Sequence, residues 1–207
     1  ECPWCGCNDR ERHVFMYMTK EGIFKNISSK TVLHFAPEKH LIQKINSFSP
    51  LRYIKCDLFP HSPEIMKVDI VNIPFKRESI DILIANHVLE HVPDDIQALR
   101  EISRVLRFNG FAILQTPFSN KLKYTWKDPG IDTDEARFEA YGQEDHVRLY
   151  GMDVFDRFAI LDLVPQIKGH NDLIPDMDSK RFAVNEEEPF FLYKKEDKLP
   201  KEIRVPE

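Results

Sequence analysis

No apolar run in these 207 residues approaches the length of a membrane-spanning helix, so a bilayer is not an expected partner. The first residues show no signal-peptide pattern, and a chain opening at Glu1-Cys2 reads as a trimmed piece. Internal repeats and low-complexity segments are lacking, which sets aside solenoids and disordered arrays. Positive charge is not in excess: 29 Lys and Arg stand against 34 Asp and Glu, for a net charge of -5. That balance argues against a nucleic-acid backbone as the main partner. Cysteine is scarce, at positions 2, 5, 7 and 56 only, which is no disulfide framework for this length and points to a reducing cytoplasm. A GxGxxG run is absent as well. Since a dinucleotide pyrophosphate wants glycine backbone amides at a helix N-terminus, an NAD-dependent oxidoreductase becomes the weaker of the enzyme readings.

What the chain does have is concentrated between Ser79 and Phe118. Ile80, Ile82, Leu83, Ile84 and Ala85 form a short, branched, apolar run that suits a buried strand. It ends in the polar pair Asn86-His87, where open parallel sheets bind ligands. Pro93, Asp94 and Asp95 read as a first helical turn, followed by Ile96, Leu99, Ile102 and Leu106 at helical spacing. Asn109-Gly110 is the expected stop, and Phe111 to Thr116 the returning strand. This is a βαβ unit with ligand-facing polar residues at its first turn.

Elsewhere the pattern predicts strands at Thr31–Ala36, Tyr53–Asp57, Val68–Val71, Leu163–Ile167 and Phe190–Tyr193. Helices are expected over Val14–Phe24, Glu38–Ile45 and Gly151–Leu163. Alternating strands and helices indicate an α/β domain with a mainly parallel sheet. Three regions follow: residues 1–30 as a cysteine knuckle and helix, 31–195 as the main domain with an insertion at 119–145, and 196–207 as a charged tail. The insertion is long for a simple connection, as lids and substrate-binding excursions often are.

The run NHVLEHVPDDIQALREISRVLRFNGFAILQTPF resembles the region after the fourth strand of class I S-adenosylmethionine-dependent methyltransferases of the type 11 group. VLHFAPEKHL, with a CPxCG-type start followed by ERH, resembles a bacterial subfamily of them. The resemblance implies a Rossmann-like fold: a mostly parallel seven-stranded sheet, an antiparallel last strand and helices on both faces. It also implies S-adenosyl-L-methionine as cofactor and a methyl acceptor, a small molecule or glycan. Phe35, Ala36, Pro37 and Glu38 match the usual glycine-rich first loop, yet contain no glycine. Asp57, with Leu58 beside it, matches the ribose-binding acid, at a spacing that Rossmann-like sites share. Asp69 and Ile70 match the adenine contact, while Asn86, His87 and His91 fall beside the methionine end.

In DHVRLYG, His146 is the candidate general base or substrate contact, because imidazole titrates near neutral pH. Arg148 would hold an anionic or polyhydroxyl acceptor, or pair with Asp145. Tyr124 and Trp126 are candidates for an aromatic wall over the acceptor. His87 and His91 flank Glu90 at i, i+4, but HVLEH is not the HExxH arrangement, so no metal is expected there. Cys2, Cys5, Cys7 and His13 could offer a truncated zinc knuckle, with zinc the less expected outcome. The reading is therefore a cytoplasmic methyltransferase. A non-catalytic interaction module on the same fold stays open, because the first loop lacks glycine.

Overall fold

A computed structural model describes residues 2–4 and 6–196. Seven strands make one sheet: β1 (Thr31–Phe35), β2 (Arg52–Asp57), β3 (Met66–Lys67), β4 (Ile80–Ala85), β5 (Leu106–Ile113), β6 (Leu163–Pro165) and β7 (Leu192–Lys195). Their spatial order is β3-β2-β1-β4-β5-β7-β6. Neighbours from β3 to β5 are parallel, and β7 runs antiparallel to both β5 and β6. This is the Rossmann-like sheet expected, with its last strand reversed.

β4 shows how the sequence builds the core. All six residues are buried, because helices cover both faces of the sheet. Leu83 and Ala85 pack with Ala98, Leu99 and Ile102 of α3 (Asp95–Val105) and with Val154 and Phe158 of α5 (Val154–Phe158). Ile82 and Ile84 point the other way, into Val14, Tyr17 and Met18 of α1 (Asp9–Lys20) and Leu41 and Ile45 of α2 (Lys39–Ser47). The carboxylate of Asp81 accepts from the Thr31 N–H at 2.8 Å and from Arg107 at 3.0 Å. It thereby ties β1, β4 and β5 together at their starts, leaving the opposite ends for a site.

Several boundaries differ from the sequence reading, each for a local reason. α1 begins five residues early, since Asn8 and Glu11 form a reciprocal capping box. Its buried face joins the sheet core. Pro93 lies outside α3, whose N-cap is Asp94, accepting from the Gln97 N–H at 2.9 Å. α3 also stops at Val105: Glu78 and Ser79 donate to the carbonyls of Arg104 and Val105, and Leu106 turns extended to begin β5. The strand expected at Val68–Val71 is instead the two residues of β3. β6, β7 and α5 are each shorter than, or offset from, the predicted runs. Among the described residues no helix is long and apolar enough to cross a membrane. Cys5 and the tail from residue 197 onward lie outside the described residues.

Candidate functional site

The carboxyl ends of β1, β2 and β4 open onto a cleft of about 710 Å³, within the range of small-molecule and cofactor sites. Phe35, Ala36, Asp57, Leu58, Asp69, Ile70, His87 and His91 all line it, together with apolar Val68, Val88 and Val92. Eight of the eleven residues proposed for cofactor contact thus converge. Asp57 commits one carboxylate oxygen to the Phe59 N–H at 2.8 Å, and Asp69 one to the Val71 N–H at 3.1 Å. These Asx turns fix both side chains and leave each a second oxygen. Val68 and Ile70, read from sequence as a strand, serve the cleft wall instead.

The glycine-free loop bends by another means. Ala36 sits in the left-handed region at φ 45°, a conformation that glycine adopts without strain, and its N–H donates to the Cys56 carbonyl at 2.9 Å. His87, at the end of β4, is also left-handed, at φ 53°. Pro37, Glu38 and Asn86 do not line the cleft. Behind it, Tyr53 Oη is 2.8 Å from His34 Nδ1, His34 Nε2 is 3.1 Å from the Glu38 carboxylate, and Glu38 accepts from the Asn86 amide. Burial would raise the Glu38 carboxyl, but the bonds from His34 and Asn86 win and hold it below the usual value. It stays ionised, and the chain braces the two loops on either side of the cleft floor. Asn86 Oδ1 is buried with no hydrogen-bond partner, an unpaired acceptor at the same corner.

At the other end of the cleft, Leu89–His91 form a short 3₁₀ turn. His87 and His91 therefore do not share a helix face. Glu90, which the sequence reading left without a role, is 1% exposed. Its Oε2 accepts from Thr116 Oγ1 at 3.0 Å, and His87 Nδ1 lies 3.2 Å from Oε1, out of line for a hydrogen bond. Burial pushes the Glu90 carboxyl up, yet the adjacent His87 imidazole outweighs it, so the group sits below its ordinary value. The 119–145 excursion carries Asp145 and His146 to this point, pinned where the Val147 N–H donates to the Glu90 carbonyl at 3.0 Å. Asp145 lines the cleft and holds His91 Nδ1 at 3.2 Å. His146 is buried, with Nδ1 3.3 Å from the Tyr141 carbonyl and its ring 4.8 Å from that of His91. Desolvation lowers its pKa, so the imidazole is neutral near pH 7.

Other candidates sit apart. Arg148 is 1% exposed and donates to the carbonyls of Leu89 and Pro93, beside Asp95 at 3.1 Å. That geometry gives it a bracing role under the turn rather than reach toward an acceptor. Its pairing partner is Asp95, not Asp145. Tyr124 and Trp126 are exposed and outside the cleft; the Trp126 indole packs edge-on against Tyr141 at 5.5 Å. Gly151 makes this excursion possible, because a Cβ there would lie 2.6 Å from the Tyr124 backbone. At the N-terminus, His13 Nε2 pairs with His170 Nδ1 at 3.2 Å, and burial lowers its pKa to about 4. The histidine that gathers near Cys7, with Glu11, is His40.

A family model described as a methyltransferase domain matches residues 27–114. Probable S-adenosylmethionine-dependent methyltransferases from two strains of Mycobacterium tuberculosis are each 33% identical over 70 residues, 34% of this chain and 24% of the relative. The chain thus spans about a quarter of the length of the curated relatives it matches. Among solved structures, an S-adenosylmethionine-dependent methyltransferase from Mesorhizobium loti superposes with a TM-score of 0.59 at 9% identity, over 85% of this chain and 95% of that one. Another from Archaeoglobus fulgidus gives 0.58 at 10% identity, over 89% and 94%. Likeness at such identities shows the fold, which is that of Rossmann-like methyltransferases.

Proposed function

We propose that this chain, with its methyltransferase-domain match over residues 27–114, transfers the methyl group of S-adenosyl-L-methionine to a small-molecule or glycan acceptor. One observation carries the reading. The first loop at Ala36, the strand-end acid Asp57, the Asp69-Ile70 pair and His87 come from four separate segments and meet in a single cleft.

The side chains present fit that cofactor. Asp57 and Asp69 each keep a carboxylate oxygen for ligand donors, suiting ribose hydroxyls and an exocyclic amine respectively. Ile70 and Val88 supply apolar cover. When bound, the cofactor supplies an electrophilic methyl carbon on a sulfonium. The protein's part is mainly positioning, with the acceptor oxygen or nitrogen held in line for displacement. At the acceptor end the reading falls on His146, which is buried outside the cleft lining, oriented by the Tyr141 carbonyl, and has its ring 4.8 Å from that of cleft-lining His91. The excursion 119–145 forms the acceptor side of the 31–195 domain, and the enzyme is read as cytoplasmic.

Calorimetry with S-adenosylhomocysteine and with NAD tests this directly. Saturable binding of the first and none of the second supports the reading. Tight nicotinamide binding overturns it in favour of an oxidoreductase, and binding of neither favours an interaction module.

A further inference from the structure

We propose that Glu90, His91 and His146 form a divalent transition-metal site of the zinc class beside the cleft, behind His91, the one of the three that lines it. Three ligating atoms, one from each side chain, lie within 4.8 Å of one another. The set is two imidazoles and one carboxylate, a combination that suits borderline cations such as zinc and leaves open positions when bound.

The surrounding hydrogen bonds carry the argument further than proximity does. Metal-bound imidazoles as a rule donate their other ring N–H to a carbonyl or carboxylate, which fixes tautomer and orientation. Both histidines are built this way. His146 Nδ1 faces the Tyr141 carbonyl at 3.3 Å, and His91 Nδ1 faces the Asp145 carboxylate at 3.2 Å, so each keeps Nε2 uncommitted. The third ligand is prepared too. Thr116 satisfies Glu90 Oε2, while Oε1, in a side chain 1% exposed, makes no hydrogen bond and has only the His87 imidazole beside it, with Nδ1 at 3.2 Å. A buried carboxylate oxygen in that condition is costly unless something positive meets it. Sequence spacing could not reveal the site, because HVLEH supplies two ligands and the third arrives 55 residues later.

The binding claim stands alone; its role rests on the methyltransferase reading. A bound cation would supply positive charge beside cleft-lining His91 and Asp145, and would ease loss of the O–H proton of a nearby acceptor hydroxyl to solvent. The oxygen lone pair then bonds the methyl carbon as the carbon–sulfur bond breaks, its electrons returning to sulfur.

The test uses the whole chain, stripped with chelator and titrated with Co²⁺ by visible absorption and with Zn²⁺ by calorimetry. One equivalent per chain is expected, with tetrahedral or five-coordinate Co²⁺ bands. Glu90→Gln and His146→Ala should each weaken binding at least tenfold, and His40→Ala, in the separate Cys7 cluster, should not. S-adenosylhomocysteine binding, measured on the same samples, reports that each variant is folded. Should Glu90→Gln fail to fold, His91→Ala replaces it. Absence of saturable metal binding overturns the proposal, as does binding that survives both ligand variants or is lost with His40→Ala. Metal binding without S-adenosylhomocysteine binding would leave this site standing and remove the methyltransferase reading.

Discussion

Two buried charge clusters flank the Leu89–His91 turn, and they are finished differently. In one, the Asp95 carboxylate takes two bonds from Arg157 at 2.7 Å, one from the Tyr150 hydroxyl at 3.0 Å, and the nearby Arg148 guanidinium at 3.1 Å. In the other, Glu90 takes one bond from Thr116 and leaves an oxygen without a hydrogen bond among three imidazoles, the nearest being His87, with Nδ1 at 3.2 Å and its own Nε2 unpaired. A carboxylate saturated by donors is spent on holding the fold. One left short is available for a ligand, which is why the first cluster reads as scaffold and the second as site.

The sharpest way to break this comparison is Asp95→Ala. It strands the Arg148 charge in the interior, and a loss of about 3–5 kcal/mol is expected, read as a large drop in the urea midpoint. Glu90→Gln, which keeps the shape and the Thr116 contact, should lower the midpoint less. If the order reverses, Glu90 is the structural group and the contrast collapses. pH sharpens the same point. Burial pushes the Asp95 carboxyl up, but the Arg157 bonds and the Arg148 charge prevail and hold it below the ordinary 3.8. Its folded value being depressed, its contribution is complete above about pH 4 and is lost as pH falls through that lower value. Asp95→Asn should therefore show a flatter acid limb than the natural chain in stability measured from pH 6 downward.

Next in size is Asp57→Ala, which removes a cleft-lining carboxylate without exposing a buried charge. A loss of about 1.5–3 kcal/mol in S-adenosylhomocysteine binding is expected, roughly 10–150-fold, with the melting temperature nearly unchanged. His146→Ala should do the opposite, sparing cofactor binding within about threefold while turnover falls at least tenfold. If the histidine variant loses S-adenosylhomocysteine, its place at the acceptor end is wrong.

How much of this could be read beforehand depends on the signal each group leaves. β4 was legible because a buried parallel strand is an unbroken apolar run, and Asp57 because it sits at a strand end at a characteristic spacing, whereas Asp69 and Ile70 were picked out by the family resemblance alone. The α3–β5 junction was not. Leu106 fits the helical stripe in sequence, and only the N–H groups of Glu78 and Ser79, arriving from another segment, end the helix at Val105. Glu90 was passed over and Arg148 given the wrong role for a related reason. Charged residues are ordinarily taken as surface, and their burial is decided by partners some 26 to 59 residues away. His40 was missed beside Cys7 for the same cause, since its partner Glu11 lies 29 residues off.

The smallest predicted effect concerns the loop that sequence made most doubtful. Ala36 at φ 45° carries strain of about 1–2 kcal/mol for a left-handed residue with a Cβ. Replacing it by glycine removes that strain but frees the unfolded chain, at about 0.5–1 kcal/mol. The balance favours Ala36→Gly by up to about 1 kcal/mol, a rise of roughly 2–4 °C in melting temperature for a chain of this size. S-adenosylhomocysteine affinity should stay within about twofold, because the Ala36 N–H remains bonded to the Cys56 carbonyl. A clear fall in melting temperature would mean that the alanine methyl packs usefully, and that the chain has replaced a flexible loop with a braced one. A rise would mean that the missing glycine is a tolerated cost, with Glu38, His34 and Asn86 behind the loop holding the bend that glycine would otherwise make easy.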